Sequence, residues 1–120
     1  MKALIFPNDP LAAYLKKGEL KERYFNPNNV FDEVHFVTFY NDECTVEDIQ
    51  KTIGKAKGYI HKLAPISILD MFYPNRRVKG IINAINLIEV DVVRSYNPIF
   101  QGFFAGVASL ELKVPFLISL

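Results

Sequence analysis

The stretch Val90–Leu120, VDVVRSYNPIFQGFFAGVASLELKVPFLISL, leaves the chain few choices of architecture. Asp91-Val92-Val93-Arg94 is a short β-branched run that favours a strand, and a polar turn, Ser95-Tyr96-Asn97, follows with Pro98 directly after it. Asn97 suits a helix cap, because its side-chain oxygen accepts from the free N–H groups of a first turn. Pro98 at the first helical position loses nothing by lacking an N–H. Phe100, Phe103, Phe104, Val107 and Leu110 then recur at helical spacing, and Gly102 and Gly106 leave room for close approach to a sheet. That spacing predicts a buried face. Lys113 stands where a cation suits the end of the helix dipole, and Val114–Leu120 reads as a second apolar strand. Two strands joined by a helix run parallel and form a right-handed crossover.

The rest of the chain repeats the pattern. Ala3-Leu4-Ile5-Phe6 is a buried first strand stopped by Pro7-Asn8-Asp9-Pro10. From Leu11 to Phe25 helix formers are interrupted by Gly18, which predicts a loop or short turn and then a helix from about Glu19, ended by Asn26-Pro27-Asn28-Asn29. Val34–Tyr40 is a second strand, Thr45 with Asp48 opens a helix in which Val46, Ile49 and Ile53 share a face, and Tyr59–Leu63 is a third strand. Between Ala64 and Arg77 two prolines, Pro65 and Pro74, forbid one uninterrupted helix, while Ile66, Ile68, Leu69, Met71 and Phe72 predict a packed though irregular stretch. Val78, Ile81, Ile82, Ile85 and Ile88 predict one more helix. The alternation predicts an α/β fold: an open, parallel, five-stranded Rossmann-like sheet with helices on both faces.

At 120 residues and 50% hydrophobic composition the chain holds one domain with a real core. Its net charge of +1 gives no global attraction to nucleic acid. The single Cys44 excludes an intrachain disulfide, and with no charged-then-apolar leader the expected setting is cytoplasmic. No apolar run reaches the roughly 18 residues that span a bilayer, although contact with a membrane surface stays open. The chain stops inside an apolar strand, so a longer polypeptide is expected, together with self-association through the uncovered face around Phe116 and Ile118.

In such sheets ligands sit beyond the carboxyl ends of the strands, where the strand order reverses. Arg94 offers a rigid fork of donors for phosphate or sugar hydroxyls, or for an ion pair with Asp91 or a bond to a loop carbonyl. Tyr96 can stack on a sugar or cover the sheet edge. Asn97 is a cap whose neighbouring N–H groups can hold an anion. Asp9, beside Asn8, can accept from a sugar hydroxyl or organise its own turn, and Gly18 permits close approach or simply breaks a helix. His35 and His61 read as structural, and Lys16-Lys17 and Arg76-Arg77-Val78-Lys79 as solvated basic clusters. Neither GxGxxG nor GxxxxGK[ST] occurs, no metal-ligand spacing is present, and no nucleophile elbow is found, so no cofactor is assigned.

Asp91-Val92-Val93-Arg94-Ser95-Tyr96-Asn97-Pro98, the small and aromatic helix after it, and Val114-Pro115-Phe116-Leu117-Ile118-Ser119-Leu120 resemble the N-terminal domain of retaining glycosyltransferases of the GT-B fold, the family 4, glycogen-synthase-like and mannosyltransferase-like group. Gly18–Pro27 with Phe31-Asp32-Glu33-Val34 is similar to the start of some members. The resemblance implies two Rossmann-like domains facing a cleft, this one binding the acceptor, with the nucleotide-sugar donor held mainly by a domain beyond Leu120. A hexose would pass to a carbohydrate or lipid acceptor with retention, and the 120-residue piece alone would be inactive. It places substrate at Asn8, Asp9, Gly18, Arg94, Tyr96 and Asn97. Asn8-Asp9-Pro10 replaces the family's glycine-rich loop, and the family's histidine would fall past Leu120, so no catalytic residue is assigned. The competing expectation is a stand-alone flavodoxin-like module that binds a small molecule or regulates a partner.

Overall fold

Lys2–Phe6 (β1), Glu33–Thr38 (β2), Lys57–Lys62 (β3), Val92–Ser95 (β4) and Phe116–Ile118 (β5) pair as one wholly parallel sheet in the order β3-β2-β1-β4-β5. The structure is a computed structural model and describes residues 1–7, 11, 22–39, 44–85, 89–96 and 100–118. Helices Val46–Ile53 (α1), Ile68–Phe72 (α2), Pro74–Ile85 (α3) and Phe100–Leu112 (α4) connect the strands.

A parallel sheet covered on both faces needs strands that are apolar on both faces. Here Ala3, Ile5, Val34, Phe36 and Val92 point one way, onto Ile49 and Ile53 of α1 and onto Phe25. Leu4, Phe6, Val37 and Val93 point the other way, onto Val78 and Ile81 of α3 and Phe104, Ala105 and Ala108 of α4. The predicted fold class is therefore the observed one.

Local differences have local causes. Most of the helix expected from Glu19 lies outside the described residues; its last part, 22–25, is a turn in which Arg23 adopts φ 59°. That turn plugs the end of α1. The carbonyls of Lys51, Thr52 and Ile53, which have no partner within the helix, accept from Arg23 N–H at 2.7 Å, Phe25 N–H at 2.8 Å and Asn26 Nδ2 at 2.7 Å. The amino end of α1 carries the expected capping box, with Thr45 N–H donating to Asp48 Oδ2 at 2.9 Å.

In α4 the expected face is rotated. Phe104 is buried, but Phe103 is exposed and Leu110 is 78% exposed, while Ala105, Ala108 and Ser109 face inward. Small side chains let this helix lie close to the sheet, and the large ones are displaced outward; the Phe100 side chain lies outside the description. Gly106 does meet the sheet closely, since a Cβ there would stand 3.3 Å from the Phe116 ring. The helix ends in a Schellman motif with Lys113 at φ 57° in the position glycine usually takes: Lys113 N–H donates to Leu110 O and Val114 N–H to Ser109 O. In α3, Val78 and Ile81 are buried as the spacing predicts; the Ile85 side chain and Ile88 lie outside the description.

Candidate functional site

The chain steps outward from β1 through β2 to β3 and then returns to place β4 on the other side of β1, so the strand order reverses between β1 and β4. Asn8, Asp9, Gly18 and Asn97 lie outside the described residues. Arg94 and Tyr96 are at this reversal and touch each other, the guanidinium carbon 4.8 Å from the ring centroid. Tyr96 also stacks on Tyr24 at 5.7 Å and meets Phe25 edge-on at 5.1 Å. Asp91, one of the two alternative partners of Arg94, is engaged at the opposite end of β4, where its Oδ2 accepts from Lys2 N–H at 2.7 Å.

A second feature lies where the sequence is hardest to read. Beyond the carboxyl end of β3 a cleft of ≈ 500 Å³ opens between Leu63-Ala64, α2 and the first turns of α3. Ser67 caps α2, its N–H donating to Asp70 Oδ2 at 2.8 Å and its Oγ accepting from Asp70 N–H at 3.4 Å. Arg77 does not join its neighbours in solvent. It donates from Nη2 to Ala64 O, lies over Phe39 with Cζ 5.7 Å from the ring centroid, and has Asp70 Oδ2 3.8 Å from Nε. Arg76 and Tyr73 complete the cleft wall from the start of α3.

The apolar residues beside the cleft do not pack as expected. Ile68 is 78% exposed, Leu69 69%, Met71 42%, Phe72 74% and Tyr73 63%. The five-residue α2 is too short to turn one face inward, and Asp70, the polar member of the run, is the one held against the protein by Ser67 and Arg77. The result is a contiguous apolar ridge, which soluble monomers rarely expose without use.

Polar side chains also interrupt the sheet itself. Glu33, His35 and Val37 share a face of β2 with Lys57, Tyr59 and His61 of β3, by the alternation of a strand. His35 Nε2 lies 2.5 Å from Glu33 Oε1, and His35 Nδ1 lies 2.9 Å from His61 Nε2. The three rings stack, His35 on Tyr59 at 4.5 Å and His61 beside His35 at 5.2 Å. Where both imidazoles are neutral, His35 donates from Nε2 to Glu33 and accepts at Nδ1, so His61 carries its proton on Nε2. The hydrogen bond from His35 holds the Glu33 carboxyl below its ordinary value of 4.5, helped by the charges of His35, Lys2 and Lys57. Burial first, and the charge of His35 second, push His61 below 6.5.

Both depressed values act in the same direction. Each group takes up a proton more readily in the unfolded chain, so the stability it contributes is complete above its unfolded pKa and is lost as pH falls through the folded one. The unfolding free energy measured in urea therefore declines from about pH 7 downward, His61 acting first and Glu33 only below about pH 4.5. In His61→Gln the decline between about pH 6.5 and pH 5 is reduced and the decline below it remains. Equal curves for the two proteins in that upper window would remove His61 from the account.

Among the described residues no group of three or more His, Cys, Asp and Glu converges on one point, and no helix is long and apolar enough to cross a membrane. No protein-family model matches the chain, and no curated protein matches it. Two crystal structures of the C-terminal domain of a hydrogenase from Pyrococcus furiosus are similar to it. The first shares 12% identity over 99% of this chain and 90% of that one, with a TM-score of 0.54. The second shares 15% over 98% and 89%, with a TM-score of 0.53. At such identities the likeness is one of fold. These neighbours, and not a glycosyltransferase N-terminal domain, are what the fold resembles, which overturns that family resemblance. Its motif, a β-branched strand, a polar turn, a helix and an apolar strand, is what any parallel crossover requires, so it describes the sheet and not a chemistry. What the chain shares with known proteins is an open parallel Rossmann-like sheet.

Proposed function

We propose that the domain is a small-molecule-binding module that works against an anionic lipid surface, with the cleft at the end of β3 as its site and α2 as its contact. The observation that carries this reading is the exposed ridge Ile68–Tyr73 at the mouth of a cleft walled by Arg76 and Arg77. Interfacial segments combine apolar side chains that enter the headgroup boundary with basic ones that meet anionic lipid. Here Arg76 and Lys79 are exposed on the next helix, while the carboxylate of Asp70 is neutralised locally. Each basic residue near such a surface contributes about 1 kcal/mol, and the attraction fades with salt.

Co-sedimentation with vesicles tests the reading. Vesicles of phosphatidylcholine containing phosphatidylglycerol should retain the protein at low salt, and pure phosphatidylcholine should retain much less. Ile68→Ser with Phe72→Ser should weaken retention by an order of magnitude or more, without loss of fold because both side chains are exposed. Retention unchanged by the double substitution, or no retention on either vesicle, sinks the membrane part of the proposal.

A further inference from the structure

We infer that the cleft takes a phosphate-bearing ligand, a phosphomonoester with a small organic body, held between the guanidinium groups of Arg76 and Arg77. This rests on the reading of the cleft as a ligand site and is independent of whether α2 touches a membrane.

The charge balance of the cleft selects an anion. Its ionisable members are Asp70, Tyr73, Arg76 and Arg77, and the one carboxylate is already engaged by Ser67 N–H and by Arg77. Arg76, exposed at the rim, adds a cation beyond that pair. A phosphate dianion is matched by the planar fork of a guanidinium, which offers two parallel donors to two oxygens. Arg77 is also ordered in advance: Ala64 O takes one Nη2 hydrogen and Phe39 supports the plane. Little side-chain freedom is then lost on binding. Its Nε is buried, with no hydrogen-bond partner among the described residues. The remainder of the wall is apolar, from Leu63, Leu69 and Ile81, and suits the carbon body of the ligand; a volume of ≈ 500 Å³ is ordinary for a small-molecule site.

The test is a chemical-shift titration of the whole 120-residue chain with glycerol 3-phosphate, inorganic phosphate and uncharged glycerol in parallel. Glycerol 3-phosphate should give saturable shifts at the amides of Ser67, Tyr73, Arg76, Arg77 and Gly80, and phosphate alone weaker shifts at the same positions. Arg76→Ala should raise the dissociation constant about tenfold or more, with Arg76→Lys between it and the parent. Vesicles containing phosphatidic acid, whose headgroup is a phosphomonoester, should compete with glycerol 3-phosphate if the lipid is the source; failure to compete assigns the site to a free metabolite. Equal shifts with glycerol and glycerol 3-phosphate overturn the phosphate assignment while leaving the cleft a ligand site. Absence of cleft shifts with any of the three, up to about 10 mM, overturns the ligand site itself. Ile68→Ser with Phe72→Ser leaves the titration unchanged, which separates this inference from the membrane contact.

Discussion

Replacing Asn26 by alanine lowers the unfolding free energy by roughly 3–5 kcal/mol, a large share of the 5–15 kcal/mol typical of a domain. The Asn26 side chain is fully buried and makes three hydrogen bonds. Its Nδ2 donates to Ile53 O at 2.7 Å and Phe31 O at 3.1 Å, and its Oδ1 accepts from Phe31 N–H at 2.8 Å. Alanine takes this partner from the N–H and the carbonyl of Phe31, while Ile53 O keeps Ala56 N–H at 3.1 Å, and each buried group left without a partner costs about 1–3 kcal/mol. Aspartate separates the causes. It keeps the acceptor for Phe31 N–H but, when ionised, faces two carbonyls with nothing to donate. Asn26→Asp is therefore at least as damaging at neutral pH and recovers in part as its carboxyl is protonated in acid. Urea unfolding followed by circular dichroism reads both. A loss below about 1 kcal/mol in Asn26→Ala, with the slope m unchanged, would mean that water replaces the lost partners.

This knot also shows where the sequence can be read and where it cannot. The Asn26-Pro27-Asn28-Asn29 run announces a chain that must turn, and it does turn, but nothing local says that Asn26 reaches α1, 27 residues on, at Ile53. The same holds at Gly54. Its φ of 60° agrees with a glycine that closes a helix, yet the Asn29 Oδ1 that a Cβ would approach to 2.1 Å is a tertiary neighbour. Alternating apolar runs sufficed for the sheet, because a strand buried on both faces can be little else. For the cleft, the legible signal was Ser67 followed three residues later by Asp70 and then by Pro74: a capping box and a proline at the first position of the next helix. That signal places two helix starts, but not the exposure of Ile68 and Phe72, which depends on what packs above them. For the ladder, the signal was polar residues at every second position, Glu33 and His35 in one strand and Lys57, Tyr59 and His61 in the next. Reading each histidine alone as structural missed that the register sets them side by side.

Phe104→Ala costs about 3–5 kcal/mol, whereas Leu110→Ala, six residues along the same helix, costs less than about 0.5 kcal/mol. Helical spacing alone treats the two alike, since both fall in the apolar pattern of α4. The structure parts them. The Phe104 side chain is fully buried in the cluster that holds Phe6, Phe39 and Val93, its ring 6.0 Å from that of Phe39, and it is the large side chain that α4 buries, beside Ala105 and Ala108. Close-packed neighbours cannot fill the volume of a lost ring, so the cavity adds to the lost transfer energy. The damage should also spread to the cleft, because Phe39 supports Arg77 as well as Phe104. In Phe104→Ala the Arg77 guanidinium loses part of its ordering, and any affinity of the cleft for glycerol 3-phosphate falls with it, while Leu110→Ala leaves both unchanged. Thermal and urea unfolding give the first comparison and the shift titration the second. If Phe104→Ala loses stability but binds as the parent does, Arg77 is held by Ala64 and Asp70 alone, and the aromatic support is incidental to the site.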